Sequence, residues 1–515
     1  MASNSRLYAL CLTLILALDV SAATAATIRV PADQPTIQAG INAANNGDTV
    51  LVSPGTYTEN INFLGKQITV TSSGGASVTV IDGGGVTSVV RFSTNETLSS
   101  VLSGFTLQNG NALNAPELEG GGIAIENASP TIKDNIIQNN LGGTAGGGIG
   151  INSASPLISG NVIKNNSQNP GVDSGVGGGG ISVRGAGSAQ IIGNVILKNS
   201  WSNAGTGFGG GISLSNSVST LIQNNLIEGN VAGTQGAGIC MEGDVSGTVI
   251  VQNVIVGNSS PTDAGVYWFS SPAVFVNNTL SDSRAISTST VIALIPNTTV
   301  VIANNLIVAS DGATYAFTCG FNDFQNPQNF YNNDIFSGKG TAYFGCTDQT
   351  GANGNISSIP SFVGKGNFRL MGGSAGIDAG NNSAPDLPST DFAGNLRIIN
   401  GNGGPTAIVD MGAYEFIPVT LTPKSLNFGT QAVGSTTTKT VTLTNAQNKS
   451  LNISSKTVPT GYAVSGCGTS VAAFSSCSLT VTFQPLTSGT FKGILSVKDS
   501  AGNSPQNVNL FGKGQ

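Results

Sequence analysis

Between Gly120 and about Ser259 one short phrase returns five times, and no other feature constrains the fold as tightly. It reads GGGIAIE at 120–126, GGGIGIN at 146–152, GGGISVR at 178–184, GGGISLS at 209–215 and GAGICME at 236–242. A second phrase follows each copy: DNIIQNN from 134, GNVIKNN from 160, GNVILKN from 193, NNLIEGN from 224 and QNVIVGN from 252. Its first aligned asparagine falls at Asn135, Asn161, Asn194, Asn225, Asn253, Asn278, Asn305 and Asn333, at intervals of 26, 33, 31, 28, 25, 27 and 28 residues. Apolar residues alternate within the first phrase, as in Ile123/Ile125 and Ile149/Ile151, so the units are strands and leave no helical face. A repeat of about 25 residues fits a coil of three short strands and three turns, and stacked coils make a parallel β-helix. An asparagine recurring after a strand suits a bend where its amide bonds the rungs above and below. The recurrent GGG is expected to supply positive-φ corners.

Composition narrows the class further. A chain of 515 residues implies two or more domains. Charged residues make up 9% and hydrophobic ones 39%, with 71 glycines, which is the profile of a turn-rich all-β protein. A net charge of −6 and a pI near 4.7 argue against nucleic acid as a partner. Histidine is absent. That removes Ser–His–Asp chemistry, His-ligated zinc and a histidine general base together.

The N-terminus reads as a secretory signal over residues 1–26: Arg6, then LYALCLTLILAL (7–18), then the small residues SAATAA (21–26). The apolar run is too short to span a membrane, and Leu10 before Cys11 makes a poor lipoprotein site. The mature chain is expected to be secreted, extracellular or held at the cell surface, with no transmembrane segment. Of its five cysteines, Cys467 and Cys477 are a natural pair. Cys319 and Cys346 sit 27 residues apart, matching the repeat, and are a second candidate pair. Cys240 is left over as a small space-filling residue.

Ahead of the array, Ile37, Ile41 and Ala44 share a helical face, with Pro35 tolerated in the first turn and Gly47 closing the helix. Such a helix would cover the exposed edge of a β array. Strand-like phrases follow at 66–72, 77–83, 87–93 and 99–110.

The opening VPADQPTIQAGINAANNGDTVLVSPGTY and the closing SAGIDAGNN with DFAGNLRIINGNGGPTAIVDMGAYEF make residues 27–417 resemble the secreted right-handed parallel β-helix proteins of the pectin-lyase-like class. The resemblance implies an N-terminal cap over 27–65 and a C-terminal cap over about 372–417. It is specific for architecture and weak for activity, because one fold hosts many functions. From about Pro418 to residue 515 some seven alternating segments read as an Ig-like β-sandwich. That module resembles the ASPM/SPD-2/Hydin type at the C-termini of exported bacterial proteins, which implies a spacer or attachment role.

If Ile123, Ile149, Ile181, Ile212 and Ile239 point inward, two columns face outward. One reads Ala124, Gly150, Ser182, Ser213, Cys240, Tyr267; the other reads Glu126, Asn152, Arg184, Ser215, Glu242, Phe269. Insertions before the GGG strands add Glu117, Glu119, Asp173, Trp201 and Phe208 along one rim. Carboxylates, an arginine and aromatics along an extended groove suit a linear glycan, with Glu126, Asn152, Arg184, Glu242, Trp201, Tyr267 and Phe269 as contacts. The leading expectation is a non-catalytic glycan-binding scaffold. The alternative is a polysaccharide lyase in which Ca²⁺, held by Glu117, Glu119 or Asp173 with Glu126 and Glu242, neutralises a uronate while Arg184 takes the C5 proton. The known lyase signatures around base and calcium aspartates are absent, and a purely structural scaffold is a third possibility. Hydrolysis by Glu126 and Glu242 is excluded, since four rungs put them about 19 Å apart. Asp378, Asp386, Asp391 and Asp410, near the end of the array, are expected to bond backbone in capping turns.

Overall fold

The computed structural model describes residues 25–114, 120–168, 177–201, 207–268, 273–281, 283–285, 290–294, 300–309, 315–319 and 329–515. Among these, the array is a parallel β-solenoid of three long sheets. Sheet I contains Ile123–Glu126 and its equivalents in 11 strands, sheet II contains Thr131–Lys133 in 12, and sheet III contains Ile136–Gln138 in 11. Pairing is in the register of the repeated phrases: Ile123 with Ile149, Ile181, Ile212, Ile239 and Val266 in turn.

Each rung sends two apolar residues inward from sheet I, such as Ile123 and Ile125, and one from each of sheets II and III. Ile132, Ile158, Ile191, Ile222 and Ile250 line the inside of sheet II, and Ile137, Ile163, Ile196, Ile227 and Ile255 that of sheet III. All ten are fully buried, each contributing about 2 kcal/mol of transfer free energy.

Two asparagine ladders brace the bends. Asn135, Asn161, Asn194, Asn225, Asn253, Asn278, Asn305, Asn333 and Asn355 stand between sheets II and III, each side-chain oxygen after the first accepting from the asparagine of the preceding rung, and that of Asn135 from the Phe105 amide. A parallel ladder of Asn140, Asn166, Asn199, Asn230 and Asn258 follows sheet III. The left-handed backbone sits immediately before each ladder residue, as at Asp134 (φ 57°) and Asn139 (φ 55°).

The expected positive-φ role of the GGG glycines holds only at the first position of two copies, Gly209 (φ 79°) and Gly236 (φ 62°). Gly121, Gly147, Gly179 and Gly210 are not in the positive-φ region, nor are Gly122, Gly148, Gly180 and Gly211. They are glycine because backbones crowd there: a β-carbon on Gly211 would lie 2.6 Å from the Gly238 carbonyl oxygen. The rungs also hold a fourth, unexpected strand. Leu141–Gly142, Ser167–Gln168, Ser200–Trp201, Val231–Ala232, Ser259–Ser260 and Arg284–Ala285 pair as sheet IV.

At the N-terminal end the helix runs Ile37–Ala43, shorter at both ends than expected. Thr36 is its N-cap, accepting from the Ala39 amide, so Pro35 lies outside it. Ile37, Gly40 and Ile41 are buried, with Gly40 tight against Val50 and Val30. Lys66 donates to the carbonyls of Ile41, Asn42 and Ala44, satisfying the C-terminal end.

After the array, the segment from Gly372 to Phe416 runs beside the last rungs. Asn277, Asn304 and Asn332 donate to its carbonyls at Asp410, Asn381 and Ala379. Its own core holds Arg397, which donates to the Ala413 and Gly412 carbonyls and lies 3.8 Å from Glu415. Burial raises the Asp410 carboxyl to about 8 and that of Glu415 to about 10, despite Arg397. Folded values above the unfolded ones mean that this stability is complete below about pH 4 and declines as pH climbs through about 8. Hydrogen exchange in 372–416 should therefore speed up at pH 9 relative to pH 5, beyond the intrinsic rate change; equal protection at both would refute a buried protonated carboxyl.

From Val419 onward the strands form a four-stranded antiparallel sheet and a five-stranded one, antiparallel except where Ser425–Gln431 runs parallel to Gln506–Gly514, packed over Leu421, Val441, Leu479, Val481, Leu495 and Leu510. Lys449 donates to the Asn402 carbonyl, joining this sandwich to the segment before it.

Candidate functional site

The outward rows of sheet I carry the candidate residues. Pairing places Glu126, Asn152, Arg184, Ser215 and Glu242 in one column, with Glu126 and Glu242 four rungs apart. All five are half-buried. Glu126 accepts from Arg91 of the preceding rung at 3.3 Å, and that arginine also donates to Ser93. The Arg184 guanidinium donates to the Thr144 carbonyl in the segment leading into the GGG strand of the preceding rung. Glu242 has no hydrogen bond or ion pair to a described residue, and burial alone pushes its carboxyl above the ordinary value. Asp244, two residues on, is held below the usual range by hydrogen bonds from Ser246.

Past Glu126, at the first rungs of the column, lies a groove of ≈550 Å³ lined by Asn95, Thr97, Leu98, Asn127, Ala128 and Ser129, with buried Glu96 accepting from the Gly65 and Thr94 amides. The wall mixes amides and hydroxyls with the apolar side chains of Leu98 and Ala128.

The other column is not a surface. Ala124, Ser182, Ser213, Cys240 and Tyr267 are buried. The chain arriving from sheet IV folds back over them: a β-carbon on Gly236 would be 2.8 Å from that of Cys240, and Phe208 packs on Cys240 and Tyr267. Tyr267 is therefore 7% exposed and is no sugar contact. Trp201 is likewise corrected. It is 0% exposed in sheet IV, its indole covered by Gly177, so its face is closed to a ligand.

Phe269, Glu117, Glu119 and Asp173 lie outside the described residues, as does the N-terminal signal-like stretch through residue 24. Among the described residues no group of three or more His, Cys, Asp or Glu could hold a metal ion. The acidic residues near the end of the array serve backbone. Asp378 accepts from Gly401 and Asn402, Asp391 from Ala393, Asn395 and Glu415, and Asp410 from Asp378 and Phe416, while Asp386 is exposed. Cys319–Cys346 and Cys467–Cys477 are disulfides, and Cys240 is a buried free thiol. Sequence reading missed Arg91. Its rung lacks the GGG phrase, and the only signal was the alternation of VVRF at 89–92.

A parallel solenoid braced by asparagine and followed by an Ig-like sandwich defines an architectural class, and two family descriptions match its parts. Residues 41–272 match the family described as periplasmic copper-binding protein (NosD). Residues 418–507 match ASH, the ASPM–SPD-2–Hydin type. The chain thus carries a NosD-type parallel β-helix region and a C-terminal ASH Ig-like domain. No curated protein matches it.

Among solved structures, an alginate lyase of the PL6 family covers 79% of this chain and 61% of its own at 12% identity and a TM-score of 0.39. The ASH/PapD-like domain 7 of human CEP192 covers 19% of this chain and 85% of its own, at 17% identity and a TM-score of 0.16. A protein of unknown function from Porphyromonas gingivalis W83 is 14% identical over 18% of this chain, with a TM-score of 0.17, and this chain spans 46% of its length. Likenesses of this degree say nothing about activity. Among the described residues no helix is long and apolar enough to cross a membrane.

Proposed function

We propose that this is an exported, non-catalytic protein that binds glycan along sheet I of its solenoid. The observation that carries this reading is the half-exposed polar column of Glu126, Asn152, Arg184, Ser215 and Glu242, held in register along five successive rungs. Glu242 supports it most directly. A half-buried carboxyl whose side chain has no partner among the described residues is costly in a purely structural wall and useful to a ligand hydroxyl. Asn152 adds a side-chain amide two rungs from Arg184's other neighbours, in a wall already rich in such groups.

The lyase alternative has less support. Arg184 donates to a carbonyl, which favours its protonated form, and Glu126 is already paired with Arg91. Nor do the residues fit the copper named in the matched family. The chain has no histidine, four cysteines are in disulfides, and Cys240, Met241 and Met411 are buried.

Export is supported by the signal-like N-terminus, the two disulfides and the periplasmic description of the matched family. We further read the solenoid as right-handed, the usual hand of parallel crossovers, with the Ile37–Ala43 helix as its cap and a boundary near Pro418.

The test is affinity electrophoresis of the mature chain through a panel of neutral and uronate polysaccharides, with a parallel watch for unsaturated product by ultraviolet absorbance. Retention without product is expected. Asn152→Ala combined with Glu242→Gln should weaken it about tenfold, some 1.4 kcal/mol. Product formation abolished by Arg184→Ala would replace this reading with the lyase, and retention on neutral polysaccharides indifferent to the double variant would remove the column from the site.

A further inference from the structure

Charge is divided unevenly along the chain. Residues 1–417 hold 25 acidic and 13 basic side chains, whereas residues 418–515 hold seven lysines and one carboxylate, Asp499. The sandwich is therefore net +6 on a protein that is net −6.

The lysines are not spread at random. Lys456 is tied to the carbonyls of Gly466 and Cys467, and Lys449 to that of Asn402. Lys492, Lys498 and Lys513 are exposed and make no ion pair, and they alternate onto the outer face of the five-stranded sheet. Lys513 pairs laterally with Thr490, and Lys492 with Phe511, the next outward position along the strand. Phe511 is 38% exposed, between Asn427 and Lys492 on its two neighbouring strands. The next row is Ser425, Asn509 and the half-exposed Ile494. Asp499, the one carboxylate, takes the opposite side and accepts from Ala501.

We infer that this face is a second binding surface, for an anionic polysaccharide. Three cations are distributed over it, with Lys492 and Lys498 about 20 Å apart along one strand. That spacing is too wide for one small anion and fits a polymer with a charge on successive residues. Exposed Phe511 offers a ring to a sugar face, and Asn427, Asn509 and Ser425 offer hydrogen bonds to hydroxyls. The apolar side chains are flanked by amides within a flat sheet and do not gather into a protruding wedge, which favours a glycan over a bilayer. The acidic solenoid repels such a polymer and the sandwich attracts it, so the two parts take different ligands.

The experiment uses full-length mature protein in affinity gels containing polygalacturonate, with dextran gels and anionic phospholipid vesicles as comparison arms. Retention by polygalacturonate is expected, largely lost between about 0.1 M and about 1 M salt as the Debye length shrinks. Lys492→Gln, Lys498→Gln and Lys513→Gln together should weaken it about tenfold or more, that is about 1.4 kcal/mol, with the thermal midpoint unchanged. Equal retention of the triple variant would overturn the inference. So would equal retention by dextran, binding to vesicles alone, or lysine-dependent self-association without polymer. Failure here leaves the sheet I reading standing, because that reading rests on Asn152 and Glu242.

Discussion

Asn225→Leu should lower the stability of the array by about 4 kcal/mol, because several buried groups lose their partners at about 1–3 kcal/mol each. The Asn225 oxygen accepts from the Asn194 amide N–H (2.9 Å) and side-chain nitrogen (3.0 Å). Its own nitrogen donates to the Ile191 carbonyl (2.8 Å) and to Asn253 (3.0 Å). A leucine of similar size keeps the volume and removes every one of these bonds. Thermal unfolding should shift down, and hydrogen exchange should quicken first around Asn194 and Asn253. Gln190→Ala, an exposed position on sheet II of an adjacent rung, should change stability by less than about 0.5 kcal/mol. If the two variants unfold alike, the ladder does not carry the stability assigned to it.

Gly211→Ala is expected to be comparably damaging. The added methyl would lie 2.6 Å from the Gly238 carbonyl oxygen and 3.0 Å from a methyl of Ile227. Overpacking against side chains costs about 1–3 kcal/mol, and backbone yields less readily, so a loss above about 3 kcal/mol follows. The rungs on both sides must also separate, because Ile212 donates to the Gly238 carbonyl. Reduced yield of folded protein and a lowered thermal midpoint are the readouts. A variant as stable as the parent would mean that the rungs can part by more than the register implies.

Much of this fold is legible in the chain because its period is strict. The alternation of Ile123 and Ile125 sets the face, and repetition sets the register, so the column from Glu126 to Glu242 can be written down in advance. What the period does not encode is how loops fold back. Whether Ser182 or Tyr267 faces water depends on the chain from sheet IV, whose two-residue strands are too short to show alternation. Trp201 belongs to one of those strands, which is why an apparent rim aromatic is a buried one. The GGG phrase is ambiguous for a related reason. A glycine that frees the backbone and a glycine that makes room for a neighbouring carbonyl look identical in one sequence. The partner of Glu126 is hidden because Arg91 stands 35 residues earlier in a rung without the phrase.

The two ladders also govern how such a chain can change length. Their residues stay five apart in every rung that carries both, Asn135/Asn140, Asn161/Asn166, Asn194/Asn199, Asn225/Asn230 and Asn253/Asn258. Spacing from rung to rung nevertheless runs from 25 to 33 residues. All of that slack is taken up away from the double bend. The double bend is thus a fixed gauge, and the corner before each sheet I strand is where foreign sequence can be spliced in without disturbing the stack. A peptide tag inserted there would be displayed beside the polar column, at a height along the solenoid chosen by the rung.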